Sequence, residues 1–352
     1  MLAGRILRGT MSSTDTLLPL RWAVVGPGAI ARRFALALAG IPGQRLAAVV
    51  GRDAARAQAF AERWSGGDEP ARAHTSIESL AAGEVDAVYV ATPHPAHGAA
   101  VRAALEAGLH VLCEKPLVTS ADEAAELCAL ARRRGRLLME AFWSRLLPVM
   151  PVVRGWIGEG RIGRVQGLQA SFCFALPFDP TARHFDPALG GGVLLDIGVY
   201  PLGLARDLLA VQGERGEPAL HVVGRIGASG IEERVAMTLA WPGGAVGQFV
   251  CAFDGRAPND LVVLGEAGHI TLHGPFWECT RASLARHGEP AQTVERPFRI
   301  NGFEYEIEEA IRCIAQRRIE SPAVPHADTV AVLRQVDAMR RTLGVRFPFE
   351  RG

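Results

Sequence analysis

Within the apolar stretch GGGVLLDIGVYPLGLARDLL (190–209), Asp196 and Tyr200 lie four residues apart. At 3.6 residues per turn, that spacing puts a carboxylate and a phenol on one face of a helix that is otherwise apolar almost all round. Such a pair is either an internal hydrogen-bonded arrangement, with Tyr200 on backbone and Asp196 capping a turn, or a polar face turned to a reaction cleft. A third group stands apart by its rarity. Lys115 is the one lysine among 38 lysines and arginines. Arginine stays protonated, whereas a lysine ammonium shifts its pKa readily on burial and can give up a proton. An arginine-rich composition thins out lysines generally but does not explain which position kept one. Lys115 precedes Pro116, which favours extended backbone there. Glu114 beside it reads as a structural ion-pair partner or a cofactor contact.

These groups need a frame to position them, and the first half of the chain supplies it. RWAVVGPGAIARRFALAL begins with an apolar strand (22–25), turns at Gly26-Pro27-Gly28 and continues as a helix from Ala29. The pattern is G-x-G-x-x-A, with Gly26, Gly28 and Ala31 in its three positions. The first glycine permits a tight turn, and the second lets backbone approach a pyrophosphate. The small third residue lets helix pack on strand, and the helix N-terminus, with Ala29 and Ile30, faces the anion. Strands at 45–52, near His74, at 85–93, 110–116 and 136–145 alternate with helices, one of them capped by Ser120. Repeated strand–helix units predict a doubly wound parallel Rossmann sheet over 21–145 that binds a dinucleotide at the strands' C-terminal ends. Thr92 and Pro93, at the end of the fourth strand, then line the nicotinamide or ribose site. His97 is a cofactor contact or a plain helix-surface histidine. Trp143 and Arg145 floor the substrate pocket, an indole face for the C–H face of a ring and a guanidinium for its hydroxyls. Core packing and a surface ion pair are the alternatives for these two.

Beyond residue 150 the pattern changes. A helix near 149–159, a strand at 165–176 and the 190–209 helix precede short alternating segments separated by glycine turns, with helices at 304–318 and 326–343 closing the chain. This predicts an α+β domain over 146–352 built on an open, meandering antiparallel sheet. Loops around 177–187 and 275–300 shape the substrate pocket. An open sheet leaves one broad face uncovered, and the expectation is a homodimer or homotetramer through it.

The second strand ends Val50-Gly51-Arg52-Asp53, where an NAD-specific domain places an acid on the ribose diol. Arg52, with Arg56 nearby, suits a 2′-phosphate, and Asp53 reads better as a helix N-cap. NADP is therefore the expected cofactor, with NAD the alternative. The net charge of +1 and the lack of a basic run argue against a nucleic-acid partner. The six cysteines form no CxxC or zinc spacing and read as reduced core thiols, with no metal site expected. No apolar run near the start suits a signal or membrane span. Residues 1–20 fit the fold poorly and read as disordered or as a misassigned start with Met11 as the initiator, a short mitochondrial-type presequence being the alternative, and the protein reads as cytoplasmic.

The G-x-G-x-x-A turn, ATPHPAH (91–97), EKP (114–116) and GGGVLLDIGVYP (190–201) occur in the order seen in the Gfo/Idh/MocA oxidoreductases, which this chain resembles from about residue 21 to 350. Many members carry a histidine four residues after the aspartate. Tyr200 stands there instead, which is similar to the branch holding dihydrodiol and D-xylose dehydrogenases and glucose–fructose oxidoreductase. EAFWSRLLP (140–148), RHFDPALGGG (183–192) and NGFEYEIEEAIRCI (301–314) also look like the dihydrodiol and xylose dehydrogenases. The resemblance implies that Lys115, Asp196 and Tyr200 converge over the nicotinamide in an NAD(P)-dependent dehydrogenase acting on a cyclic polyol, either an aldose such as xylose or glucose, or a trans-dihydrodiol. Tyr200 is then the acid/base, Lys115 lowers its pKa and holds the substrate hydroxyl, and Asp196 orients substrate or lysine. Lysine and tyrosine can also exchange roles. A glucose–fructose type enzyme with tightly bound NADP is one alternative. A non-catalytic nucleotide sensor on the same fold is another, against which the retained proton-transfer set argues.

Overall fold

The chain turns from strand to helix at Gly26 because a side chain does not fit there. Gly26 has φ +93°, and a Cβ on it would lie 2.8 Å from the Ala91 carbonyl oxygen. Glycine tolerates both the backbone and the close approach. In the computed structural model, which describes residues 17–66, 69–81 and 83–350, this turn joins β1 (Arg21–Val25) to α1 (Ala29–Ala39). Ala31 is fully buried where α1 meets the sheet. There follow β2 (Arg45–Val50), α2 (Ala54–Trp64), β3 (Arg72–His74), β4 (Ala87–Val90), α3 (His94–Glu106), β5 (His110–Glu114), α4 (Ala121–Arg134) and β6 (Leu138–Ala141). The six strands lie in the order β3-β2-β1-β4-β5-β6, every pair parallel. The order reverses between β1 and β4, which opens a crevice at the strands' C-terminal ends. The sixth strand is shorter than 136–145. Phe142 leaves the extended region at φ −88°, ψ 64°, and Trp143–Arg145 form a 3-10 turn.

The second sheet follows α5 (Met150–Gly158). Its strands are β7 (Val165–Cys173) and, after α6 (Val199–Ala210), β8 (Ala219–Ile226), β9 (Glu232–Ala240), β10 (Val246–Ala252), β11 (Leu261–Gly265), β12 (Gly268–Leu272), β13 (Arg281–Arg286) and β14 (Gln292–Glu295). They are ordered β14-β13-β12-β11-β7-β10-β9-β8. The sheet is antiparallel as expected except at one pair, since β7 and β10 run parallel. The reason is that α6 and the β8–β9 hairpin intervene, and a long crossover can return the chain in the same direction. The strands β13 and β14 also occupy much of the stretch read from sequence as a pocket loop.

α7 (Glu304–Ala315) and α8 (His326–Leu343) return to the first sheet. α8 packs along α4 and α6. Thr329 donates to Glu140 of β6 at 2.7 Å, and Asp337 accepts from the Ala121 amide at 2.9 Å. The division at 145/146 therefore separates the two sheets but not the packing of the last helices. Of the segment 1–20, residues 1–16 lie outside the described residues. Leu20 is buried and Leu17 packs beside it, so the folded body includes residues before Arg21. The run Pro187–Ala210 is long and apolar enough to cross a membrane by composition, yet 89% of its most apolar window is buried inside the protein. Its apolarity serves the core.

Candidate active site

The segment ahead of α6 is wound wider than an α-helix: Leu194–Gly198 form a π-turn, a feature frequent at functional sites. The bare backbone before it lets another loop close in. A Cβ on Gly191 would lie 2.8 to 3.1 Å from the carbonyl oxygens of His184, Asp186 and Arg183. Instead Gly191 N donates to Asp186 O and Gly192 N to His184 O, each at 3.0 Å. This clamp brings Arg183 and His184 over Asp196.

Asp196 is buried, and its carboxylate is the hub of the site. Lys115 Nζ, at the end of β5, donates to the Asp196 carbonyl at 2.6 Å and to Oδ1 at 3.2 Å. Arg183 Nη1 reaches the same Oδ1 at 3.0 Å, and His184 Nε2 lies 3.9 Å from Oδ2. Burial alone would raise the Asp196 carboxyl. Lys115 and then Arg183 outweigh it and hold the group below the usual carboxylate range. Lys115 shows the reciprocal balance: burial pulls its ammonium down, but Tyr200 and Asp196 more than offset this and raise it.

Tyr200 lies on the same side, with Lys115 Nζ 4.9 Å from its ring centroid. Its hydroxyl oxygen accepts from Trp143 Nε1 at 3.3 Å, and Phe142 and Phe172 pack on its ring at 5.5 and 5.4 Å. Trp277 stacks on Phe172 at 3.5 Å. Burial raises the phenol, and the downward pull of Lys115 does not cancel it. The effect of Lys115 has the expected downward direction and is smaller than that of burial. Desolvation is the larger effect and keeps the phenol above its ordinary value. The structure brings Lys115, Trp143 and the Asp196/Tyr200 pair together from three separate stretches of chain.

The nucleotide-facing residues fit a dinucleotide. A Cβ on Gly28 would meet nothing within 4 Å, so the turn is open to a ligand, and α1 has no side-chain cap on its first amides. Thr92 Oγ1, after β4, is buried without a hydrogen-bond partner. Ala29 and Pro93 are exposed and Ile30 half-buried along the same crevice. Arg52 is exposed just past β2, while Asp53 caps α2 by accepting from Arg56 N at 3.0 Å.

Three of the expected site residues make hydrogen bonds within the protein. His97 is 1% exposed, with its ring nitrogens 2.9 Å from Pro116 O and 2.7 Å from Thr92 O. Both ring nitrogens face backbone carbonyl oxygens, so His97 is not a surface histidine. It ties the segment after β4 to the one after Lys115. Glu114 turns into the sheet, where its carboxylate accepts from the Tyr89 hydroxyl and, at 3.2 Å, from the Lys115 amide. Arg145 is buried and committed to Asp328 at 2.8 Å and Gly203 O at 2.7 Å, which removes it from the substrate pocket. Trp143 is buried as well, packed on Phe303 at 5.2 Å, but its N–H reaches the site.

Arg183, His184 and His94 are site residues the sequence reading did not single out. Burial pulls the His94 ring down to about 3, and its Nδ1 lies 3.2 Å from Gly190 O. His94 was visible only as part of HPAH, and Arg183 only as part of RHFDP.

Residues 20–142 match the GFO/IDH/MocA model, described as an oxidoreductase family with an NAD-binding Rossmann fold, and residues 152–271 match a C-terminal domain of that family. The trans-1,2-dihydrobenzene-1,2-diol dehydrogenase of Mus musculus is 34% identical over 341 residues, 94% of this chain and 99% of that protein. The Homo sapiens enzyme of the same name is 33% identical over 339 residues, with the same coverage. Among solved structures, the aldose-aldose oxidoreductase of Caulobacter crescentus with glycerol superposes with a TM-score of 0.82 at 27% identity, covering 92% of this chain and 97% of its own. A 3-ketoreductase of Actinomadura kijaniata with NADP and TDP-benzene gives a TM-score of 0.81 at 28% identity, covering 92% and 98%.

Proposed function

Because the chain belongs to the GFO/IDH/MocA oxidoreductase family and is an NAD(P)-dependent dehydrogenase, we propose that it oxidises a carbinol of a cyclic polyol, an aldose such as xylose or glucose or a trans-dihydrodiol, with NADP preferred. The observation that carries this reading is the meeting of Lys115, Asp196 and Tyr200 beside a crevice suited to a dinucleotide. A bound NAD(P), held by the Gly26–Gly28 turn and the crevice at Thr92 and Pro93, would supply the hydride acceptor for the carbinol carbon. The chain's own residues handle the rest. Lys115 holds the reacting oxygen and stabilises its charge as the O–H proton passes to the Tyr200 oxygen. Trp143 donates to that oxygen throughout and so favours its anionic form. Asp196 fixes the ammonium through two hydrogen bonds. The relatives support the substrate class, since their names specify a dihydrodiol and aldoses.

Arg52, exposed beyond β2, and Asp53, already used as a cap, support NADP. Formation of reduced cofactor across a panel of aldoses, inositols and trans-diols is the test. The expected result is turnover of at least one class, with kcat/KM for NADP at least about tenfold above NAD. Equal use of both cofactors would remove the preference, and no turnover of any polyol would remove the substrate class.

A homodimer or homotetramer through the second sheet is part of this reading. Val250, Ala236 and Val223 form one outward row across β10, β9 and β8, with Val223 70% and Val250 40% exposed. Such a face finds a partner. Light scattering at micromolar concentration should give at least twice the chain mass, and a monomer would contradict it. The six free, buried cysteines support a reducing, cytoplasmic location.

A further inference from the structure

Two cations share one oxygen of Asp196, and their settings differ. Lys115 Nζ and Arg183 Nη1 contact the same Oδ1 at 3.2 and 3.0 Å. The lysine side chain is 12% exposed and the arginine 55%. A substrate oxygen held by Lys115 thus has the guanidinium as its outward neighbour. We propose that Arg183 is the specificity residue of this site and reads the oxygen on the carbon adjacent to the one oxidised, so that vicinal diols are selected over simple alcohols. The proposal rests on the polyol reading above and deepens it.

Donor supply supports this. A guanidinium has five N–H donors and no acceptor. Asp196 engages Nη1 at 3.0 Å and Nη2 at a marginal 3.5 Å, which leaves at least three donors for a second oxygen. Arginine matches paired oxygens geometrically in a way a lysine does not.

Placement supports it too. The backbone beneath Arg183 is pinned by the amides of Gly191 and Gly192. Its neighbour Phe185 is buried against Phe178 and Phe253, at 5.2 and 5.9 Å, and the His184 ring lies 5.5 Å from Phe253. With the loop anchored on one side and the guanidinium on the other by Asp196, little ordering remains when a diol arrives. Arg183 moves no proton, and the redox balance is that of the proposed alcohol oxidation.

The test compares trans-cyclohexane-1,2-diol with cyclohexanol, and glucose with 2-deoxyglucose, in the wild type, Arg183→Leu and Arg183→Lys. Both kcat/KM and binding to the NADPH complex, read by quenching of its fluorescence, are measured. In the wild type the vicinal compound should be preferred by about tenfold or more. Arg183→Leu should bring that ratio toward one, mainly by raising KM for the diol, and Arg183→Lys should restore part of it. An equal loss for both members of each pair would show that Arg183 acts only through Asp196, and overturn the proposal. So would an unchanged ratio. A wild type that binds polyols but turns over none sinks the proton-transfer reading, while the ratio of dissociation constants still decides the role of Arg183.

Discussion

Tyr200→Phe is expected to lower kcat for polyol oxidation by at least about a hundredfold, equivalent to about 2.7 kcal/mol of barrier. The ring is kept, so its packing on Phe142 and Phe172 survives, and only the oxygen that receives the proton is lost. The indole N–H of Trp143 loses its acceptor, a buried donor left unpaired that costs about 1–3 kcal/mol of stability. Thermal unfolding should therefore show a modest loss, distinct from the kinetic one. The pH profile is the sharper readout. Burial raises the phenol above its ordinary value, so the base form grows in only on the alkaline side. Oxidation by the wild type should rise with pH there, and carbonyl reduction, which needs the protonated phenol, should fall. The variant should show neither limb. Turnover within a few-fold of the wild type would remove Tyr200 from the chemistry.

Much of this site was legible in the sequence because its pieces obey local rules. The G-x-G-x-x-A turn demands glycine at Gly26 for steric reasons internal to a strand–turn–helix unit. Asp53 fits a cap because an aspartate before a helical run accepts an amide three residues on. The four-residue spacing of Asp196 and Tyr200 put them on one face, and the π-turn at Leu194–Gly198 keeps them near the same lysine. What escaped was set by the distant contacts of each side chain. Trp143 and Arg145 are two residues apart in one 3-10 turn, yet the indole meets Tyr200 whereas the guanidinium meets Asp328. Nothing local separates those fates. His97 looked equally at home on a helix surface, but the loop after Lys115 folds over α3 and buries it. The parallel pairing of β7 with β10 is hidden for the same reason, since register across a long crossover is fixed by packing and not by turn residues.

Lys115→Met should be as damaging to turnover as Tyr200→Phe, and its remaining behaviour should differ. Methionine fills similar space but removes the charge that holds the reacting oxygen, and kcat is expected to fall by at least about a hundredfold. The alkaline limb should persist and move upward, because Lys115 is what draws the Tyr200 phenol down against burial. A limb that stays in place would mean the two groups do not interact. Asp196 also loses a partner. Its carboxyl is lowered in the folded state, so it adds stability above its unfolded pKa, and that stability is lost as pH falls through the folded value. With Lys115 gone, Arg183 alone compensates a buried carboxylate, and the protein should lose stability at neutral pH, where breaking a buried pair costs up to about 3–5 kcal/mol. Adding Asp196→Asn removes the uncompensated charge. The double variant should regain much of the lost melting temperature at neutral pH and none of the lost turnover. If the second substitution destabilised the protein further, Asp196 would not depend on Lys115 for its charge, and the coupling on which the proton-transfer assignment stands would be absent.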